Sequence, residues 1–319
     1  MEPETNISGI STNLSDSIAD QKEGDIIQIR TSLLHGQNIA VSVSESDDLE
    51  ELGLSDQHLK DISIEIARYL LVNGAKMLYG GDLRKGGFTE IFSELSYQYK
   101  FLRDREHRFV NYFPFPASKS LSGDDLANFI RQQVEVRKLE PPEHLGKIDT
   151  EKTYDPFNNT GDRFILAECL SDMRIRMASD SKARIILGGR ETKFVGYFPG
   201  IVEEAYHTIN AKKPVYLLGG YGGATNSIIS IINGNKANRL TNEFQFGSEF
   251  SKNFRKCVSG KSIVNLDYDF VIDFFRHHTV ELIAKQNGLS IEENQILFES
   301  TNIHEIVFLI IKGLAGIGN

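Results

Sequence analysis

The stretch from Leu166 to Thr225 constrains the fold most, because helix, apolar strand and glycine loop follow one another twice within it. In the first round a helix is predicted from apolar residues at helical spacing, namely Leu166, Leu170, Met173 and Met177. The apolar run ARIIL follows this helix and ends in two glycines, Gly188 and Gly189. This order is typical of an α/β unit in which a strand delivers a glycine loop to the next helix.

The second round repeats the pattern. A helix that begins near Gly200 carries Glu203 and Glu204, and the apolar run VYLL after it ends in a glycine cluster formed by Gly219, Gly220, Gly222 and Gly223. Glycine after a strand lets the backbone approach a phosphate closely, and a helix N-terminus offers free N–H groups and a positive dipole end. The two loops together therefore predict one nucleotide site.

A third strand–glycine–helix junction lies earlier in the chain. The strand predicted at 76–79 runs into GGDLRKGG, and a helix is predicted to begin at Phe88. An arginine in such a loop is suited to a bidentate phosphate contact, and an aspartate can accept a hydrogen bond from a ribose hydroxyl. The alternative is a surface turn with solvated charges. The candidate ligand-binding residues here are Gly80, Gly81, Asp82, Arg84, Gly87 and Phe88.

The first clear strand is predicted at 38–44, where β-branched residues are frequent. Ser42 lies within it, and Ser44 and Glu45 come at its carboxyl end, where ligands bind in open α/β sheets. An ordinary polar loop after the strand is the alternative.

The rest of the chain is predicted to alternate similarly. We expect helices at 56–72 and 124–138, a strand at 109–115, a long connection at 140–159 and a weak strand at 25–30. Residues 234–262 are poorly patterned. One helix is predicted through Phe274 and Ile283 to Gly288, and further helices follow with capping signals at Ser290 and Asn302. The predicted fold is α/β, a Rossmann-like, doubly wound, mainly parallel sheet with helices on both faces and a helical C-terminal extension.

The predicted domain organisation is simple. Residues 1–30 form a polar, loosely ordered segment, and residues 31–319 form a single nucleotide-binding domain that includes C-terminal helices at about 265–314.

Composition excludes several classes of protein. The net charge of −9 argues against a general nucleic-acid binder. Two cysteines without a CxxC pair support neither a disulfide framework nor a cysteine metal site, and the adjacent His277 and His278 do not make a metal site either. No apolar run approaches the ~18 residues of a membrane helix, and the N-terminus lacks signal-peptide features. We expect a soluble cytoplasmic protein without a metal, a resident cofactor or membrane attachment.

These motifs resemble those of the SLOG superfamily, over about residues 38–314. The Lonely Guy phosphoribohydrolases within it have an M-x-x-R-K helix, a strand and then PGGxGTxxE. Here the matching segments are DMRIRM, ARIIL, Gly188-Gly189 and the helix from Gly200. The resemblance places the catalytic glutamate on Glu204 and the arginine on Arg174 or Arg176, of which we favour Arg174. The chain departs from the signature where the insertion RETKFVGYFP splits the glycine motif and Ile201 replaces its threonine.

The segments SVSES, YGGDLRKGGFTE and PVYLLGGYGG are more similar to the LSDAT branch, which includes the sensor domain of the Thoeris antiphage effector. This resemblance implies binding of an NAD-derived or ADP-ribose-like nucleotide in stress or antiphage signalling, with output through a homo-oligomer (dimer or tetramer) or a separate effector protein. In such a sensor, Arg84, Arg174 or Lys193 would supply countercharge, Glu203 or Glu204 would bind a ribose hydroxyl, and Phe88 and Tyr197 could flank an adenine. The alternative is an N-glycoside hydrolase with Glu204 and Arg174 as its catalytic pair.

Overall fold

The computed structural model describes residues 33–81, 83–99, 107–261 and 264–317. Six strands form one sheet in the order β4-β3-β2-β1-β5-β6, and every neighbouring pair is parallel. The strands are β1 Asn38–Ser44, β2 Lys76–Gly80, β3 Phe109–Phe113, β4 Val134–Lys138, β5 Ala183–Gly188 and β6 Val215–Leu218. The chain builds outward from β1 to β4 and then returns to the other side of β1, so the topological switch point lies between β1 and β5.

Helices connect the strands and extend the C-terminal part. They are α1 Asp56–Val72, α2 Phe88–Gln98, α3 Gly123–Arg131, α4 Thr160–Asp180, α5 Gly200–Asn210, α6 Gly223–Ile232, α7 Asn242–Gln245, α8 Glu249–Val258, α9 Tyr268–His277, α10 Val280–Asn287, α11 Ile291–Glu299 and α12 Ile303–Gly316. Single 3₁₀ turns lie at Ala117–Lys119, Glu143–Leu145 and Gly219–Tyr221.

Alternate residues of each central strand enter different cores. In β5, Ile185 and Leu187 pack in the core that contains α1, α2 and α12, whereas Ile186 packs with α5 and α6 on the opposite face. Since side chains alternate across a strand, a sheet covered on both faces needs the near-continuous apolar runs that this sequence has. The predicted doubly wound fold with a helical C-terminal part is confirmed.

Two predicted helices are wrong in their extent. The helix predicted at 124–138 ends at Arg131, and residues 134–138 form edge strand β4 instead. Gln133 takes a left-handed backbone conformation, with φ at 58°, which reverses the chain and lets Val134 and Val136 pair with β3. The helix predicted to run to Gly288 is interrupted after His277, because Thr279 is extended and begins α10 as its N-cap.

The strand predicted at 109–115 ends at Phe113, and the poorly patterned region 234–262 contains α7 and α8. The predicted strand at 25–30 lies outside the described residues. Among the helices that the structure describes, none combines the length and apolar character needed to cross a membrane.

Candidate functional site

Close packing of three backbone segments forms the carboxyl edge at the switch point. The Gly189 N–H donates to the Ser44 carbonyl at 2.9 Å, and the Ala224 N–H donates to the Gly189 carbonyl at 2.8 Å. Gly188 has a φ of 66°, and a Cβ there would collide with the Ser44 carbonyl. Gly188 and Gly189 therefore bring the end of β5 against β1 and the start of α6, which only glycine permits at this distance.

A buried arginine in β5 links β1, β5 and α5. The Arg184 Nη1 donates to Glu204 Oε2 and to Ser42 Oγ, each at 2.8 Å, and its Nε donates to Thr208 Oγ1 at 2.7 Å. The Ser42 hydroxyl also hydrogen-bonds to Glu204. Burial lowers the pKa of the Arg184 guanidinium, and the adjacent Glu204 carboxylate acts against that lowering. One sequence signal could have revealed Arg184, namely a single charge inside the apolar run ARIIL.

A second buried ion pair lies next to the first. The Arg174 Nη1 donates to Glu203 Oε2 at 2.6 Å, the Ser171 hydroxyl hydrogen-bonds to the same carboxylate, and His207 Nε2 lies 3.8 Å from it. Burial by itself raises the pKa of Glu203, but Arg174, then His207 and Ser171, outweigh burial, so that this pKa lies below its usual value. Arg174 thus neutralises a carboxylate that α5 carries into the interior.

Arg174 and Arg176 have different positions. The Arg174 Nε lies 3.8 Å from Glu204 Oε1 and makes no hydrogen bond within the described part of the chain, so Arg174 faces both glutamates. Arg176 lies on the exposed side of α4, where its Nε donates to Asp172 at 2.8 Å. The structure therefore brings Arg174 to the predicted catalytic glutamate and leaves Arg176 away from it.

The insertion loop covers this cluster. A Cβ at Gly196 or Gly200 would lie 2.8 Å or 3.0 Å from Arg174 guanidinium nitrogens, so the loop and the start of α5 pass directly over this side chain. Only 8% of the Arg174 side chain and 15% of the Glu204 side chain are exposed. Little of either group is open to a ligand.

A family model described as SLOG cluster2 matches residues 33–297. The chain belongs to the SLOG family. No curated protein and no solved structure matched it. The membership predicted from the motifs is confirmed, and it indicates nucleotide-related binding or glycosidase-like chemistry.

The loops that follow β1 and β2 at the carboxyl edge of the sheet line an open cavity of about 210 Å³, which we call the α2 cavity. The start of α2 lines it together with three cations and two carboxylates, namely Lys60, Arg84, Lys85, Glu45 and Asp56. The N-cap of α2 is Gly87, which supplies no side-chain cap to the N–H groups of the first turn. Glu45 pairs with Arg84 at 3.4 Å and also with Arg190, so an acidic group holds the two loops together at the rim.

The glycines after β6 contact protein rather than open space. A Cβ at Gly219 or Gly220 would collide with backbone carbonyls of Phe298 or Ser300, so these two glycines make room for the C-terminal end of α11 and the residue after it. The Asp48 carboxylate accepts from the Gly223 N–H at 2.8 and 3.1 Å and would collide with a Cβ at Gly222. The N-terminus of α6 in this SLOG chain is therefore capped by a carboxylate of the protein itself.

Other residues predicted to bind the ligand also pack against side chains of the protein. A Cβ at Gly80 would lie 2.9 Å from the Met173 side chain, and one at Gly81 would collide with Asn111. Phe88 lines the cavity but is buried, with its ring centre 5.8 Å from that of Phe92.

Three further positions complete the comparison with the predicted site. Tyr197 is buried against Phe254, with ring centres 6.2 Å apart. Lys193 lies away from the α2 cavity and lines an aromatic pocket. Asp82 lies outside the described residues.

Proposed function

We propose that this SLOG protein binds an NAD-derived or ADP-ribose-like nucleotide at the carboxyl edge of its sheet and acts as a sensor in stress or antiphage signalling. Family membership supports a nucleotide as the ligand. The hydrogen bonds and the limited exposure of Glu204 favour binding of the nucleotide over its cleavage. A hydrolase needs this carboxylate free to hold water or a ribose hydroxyl.

Glu204 is already engaged inside the protein. Its Oε2 accepts hydrogen bonds from Arg184 and Ser42, and the side chain is largely covered. Replacing such partners by a substrate would leave a buried guanidinium without its carboxylate, which is costly. A structural role for Glu204 therefore agrees better with its surroundings than a catalytic one.

The α2 cavity is the better place for the phosphates. The N-cap residue of α2 is a glycine, which has no side chain to cap the first turn, and a helix N-terminus attracts anions. Arg84 and Lys85 add positive charge on the preceding loop, and Lys60 adds a third cation from α1. In this proposal the phosphates bind at α2, and the ribose lies toward Ser44 and Glu45.

One observation favours the alternative, an N-glycoside hydrolase. The Arg174 Nε has no hydrogen-bond partner among the described residues and lies 3.8 Å from Glu204 Oε1, so one oxygen of the glutamate and one donor of the arginine face each other without a bond. Displacement of the insertion loop would open this pair to a substrate. Under this alternative the bound nucleotide is cleaved and its free base is released.

Calorimetric titration of the protein with NAD, ADP-ribose and AMP tests the binding proposal. Arg84→Ala removes a charge-assisted contact and should weaken binding about tenfold or more. Arg131→Ala is the matched control, because Arg131 is an exposed arginine on α3 that hydrogen-bonds to Asn128 and does not line the cavity. Equal affinity of the Arg84→Ala variant and the wild-type protein for every nucleotide would refute the placement of the phosphates.

The same proposal includes assembly into a homo-oligomer, with signalling through that assembly or a separate effector. Phe308 on α12 is 65% exposed, and it lines an apolar cavity of about 400 Å³ together with Leu33 and Tyr69. An exposed apolar area of this kind is typical of an interaction surface. Light scattering on Phe308→Glu should show a smaller mass than on the wild-type protein; an unchanged mass would remove this surface from the proposal.

A further inference from the structure

A second pocket at the carboxyl edge holds an arginine among aromatic rings. Arg163 lies in the first turn of α4, and its guanidinium carbon is 4.3, 5.3 and 6.0 Å from the ring centres of Phe254, Phe194 and Phe250. The pocket has a volume of about 230 Å³. These contacts place the cation against π faces, which attract it but accept no conventional N–H hydrogen bonds in the guanidinium plane.

Arg163 lacks the acidic partner that Arg174 and Arg184 have. Arg174 pairs with Glu203 and Arg184 with Glu204, whereas no carboxylate lies within ion-pair distance of Arg163 in the part of the chain that the structure describes. Its one hydrogen bond runs from Nη2 to the Gly196 carbonyl and is long, at 3.4 Å. The buried Nε has no hydrogen-bond partner among the residues that the structure describes.

The electrostatics of this arrangement favour an anion in the pocket. Burial lowers the pKa of Arg163, and the group that acts against this lowering is the Tyr268 phenol rather than a carboxylate. Arginine stays charged in proteins, so the pocket contains a positive charge with several unused donors. A guanidinium fork matches the oxygens of a phosphate in geometry and charge.

The rest of the lining suits a flat ring attached to that anion. Phe157 and Phe244 line the pocket and are both more than one-third exposed, and Ser248 and Ser251 also line it. Lys193 adds a second cation. Exposed aromatic side chains beside a phosphate-binding group are a common platform for stacking a planar ring.

We propose that the Arg163 pocket is a second ligand site, which binds the phosphate of a phosphorylated aromatic molecule. The site is distinct from the α2 cavity and does not depend on the function proposed there. The insertion loop connects the two regions, because Arg190 pairs with Glu45 at the α2 cavity and Thr192 hydrogen-bonds to Asp47 at 3.1 Å before Lys193 enters the aromatic pocket.

A fluorescent probe, 1-naphthyl phosphate, tests the proposal directly, and the absence of tryptophan from the chain keeps the protein's own signal low. The probe should bind the wild-type protein, and Arg163→Gln should weaken that binding about tenfold or more. The affinity for the phosphate-free probe 1-naphthol should decrease much less in this variant. Arg255→Gln is the matched control, because Arg255 also lies over an aromatic ring, that of Phe246, but has Asp267 as an acidic partner.

An affinity of Arg163→Gln for 1-naphthyl phosphate within about twofold of wild type would overturn the proposal, and so would the absence of binding to the wild-type protein. A merely structural Arg163 would lower the melting temperature of the variant and leave its affinity unchanged. If Arg163→Gln does not fold, modification of wild-type arginines by phenylglyoxal decides the matter. The probe should protect Arg163, and unprotected Arg163 would contradict the proposal.

The two sites give separable results. Loss of nucleotide binding in Arg84→Ala, with 1-naphthyl phosphate binding unchanged in Arg163→Gln, would support the proposed function and overturn the second site. The reverse pattern would support the second site and refute the placement of nucleotide phosphates at α2.

Discussion

Replacement of Arg184 by methionine should be among the most damaging single changes to this fold. Arg184 is fully buried and donates to Glu204, Ser42 and Thr208. Methionine fills much of the same space but leaves the partly buried Glu204 carboxylate without its main cation. Removing one partner of a buried ion pair typically costs about 3–5 kcal/mol.

This cost converts into a measurable change in melting temperature. An unfolding entropy of roughly 2.1 cal/mol/K per residue gives about 0.7 kcal/mol/K for 319 residues, so the loss corresponds to roughly 4–8 °C. Scanning calorimetry on Arg184→Met should show this decrease. Arg131→Met, at an exposed arginine of α3, should change stability by less than about 0.5 kcal/mol.

The double variant Arg184→Met with Glu204→Leu separates pairing from packing. Removing both charges removes the uncompensated carboxylate, so the double variant should be more stable than Arg184→Met alone. A residual loss of about 1–2 kcal/mol should remain, because the Ser42 hydroxyl loses both of its partners. A double variant less stable than Arg184→Met, or a single variant as stable as wild type, would refute the reasoning.

Three further predictions concern other parts of the molecule. The pKa of Glu203 lies below its usual value of about 4.5. Its contribution to stability is therefore complete above the unfolded pKa and is lost as pH falls through the lower folded pKa. In that pH range the free energy of unfolding should depend less on pH in Glu203→Gln than in the wild-type protein. Burial raises the pKa of Cys169 to about 12, so a thiol reagent at pH 8 should label the partly exposed Cys257 in the folded protein and leave Cys169 unlabelled. Gly220→Ala should cost at least about 2 kcal/mol in chemical denaturation, since its Cβ would meet backbone carbonyls, whereas Gly123→Ala, with open space around it, should cost nothing.

The sequence was sufficient for the central elements because their signals are local. The strands at 38–44 and 183–188 are apolar or β-branched runs, and α4 has regular apolar spacing. Strand β4 has no such local signal in its sequence. Its sequence VEVRK is short and half polar, and it becomes a strand through pairing with β3 and the left-handed turn at Gln133.

The candidate site was less predictable, because its contacts are distant in sequence. Nothing in ARIIL reveals that Arg184 meets Ser42 and Glu204, which come from a different strand and a different helix. The glycines after β6 resemble a phosphate loop locally, but Asp48, the C-terminal end of α11 and the residue after it fill the space around them. Whether a glycine faces a ligand or a neighbouring segment depends on the fold.

Chromatographic analysis of NAD and ADP-ribose after prolonged incubation with the protein, at concentrations that calorimetry shows to be saturating, tests binding without cleavage. With Glu204 engaged by Arg184 and Ser42, we predict that both nucleotides are recovered intact. Release of nicotinamide or ribose phosphate by the wild-type protein, and its loss in Glu204→Gln, would contradict this prediction and identify Glu204 as a catalytic residue.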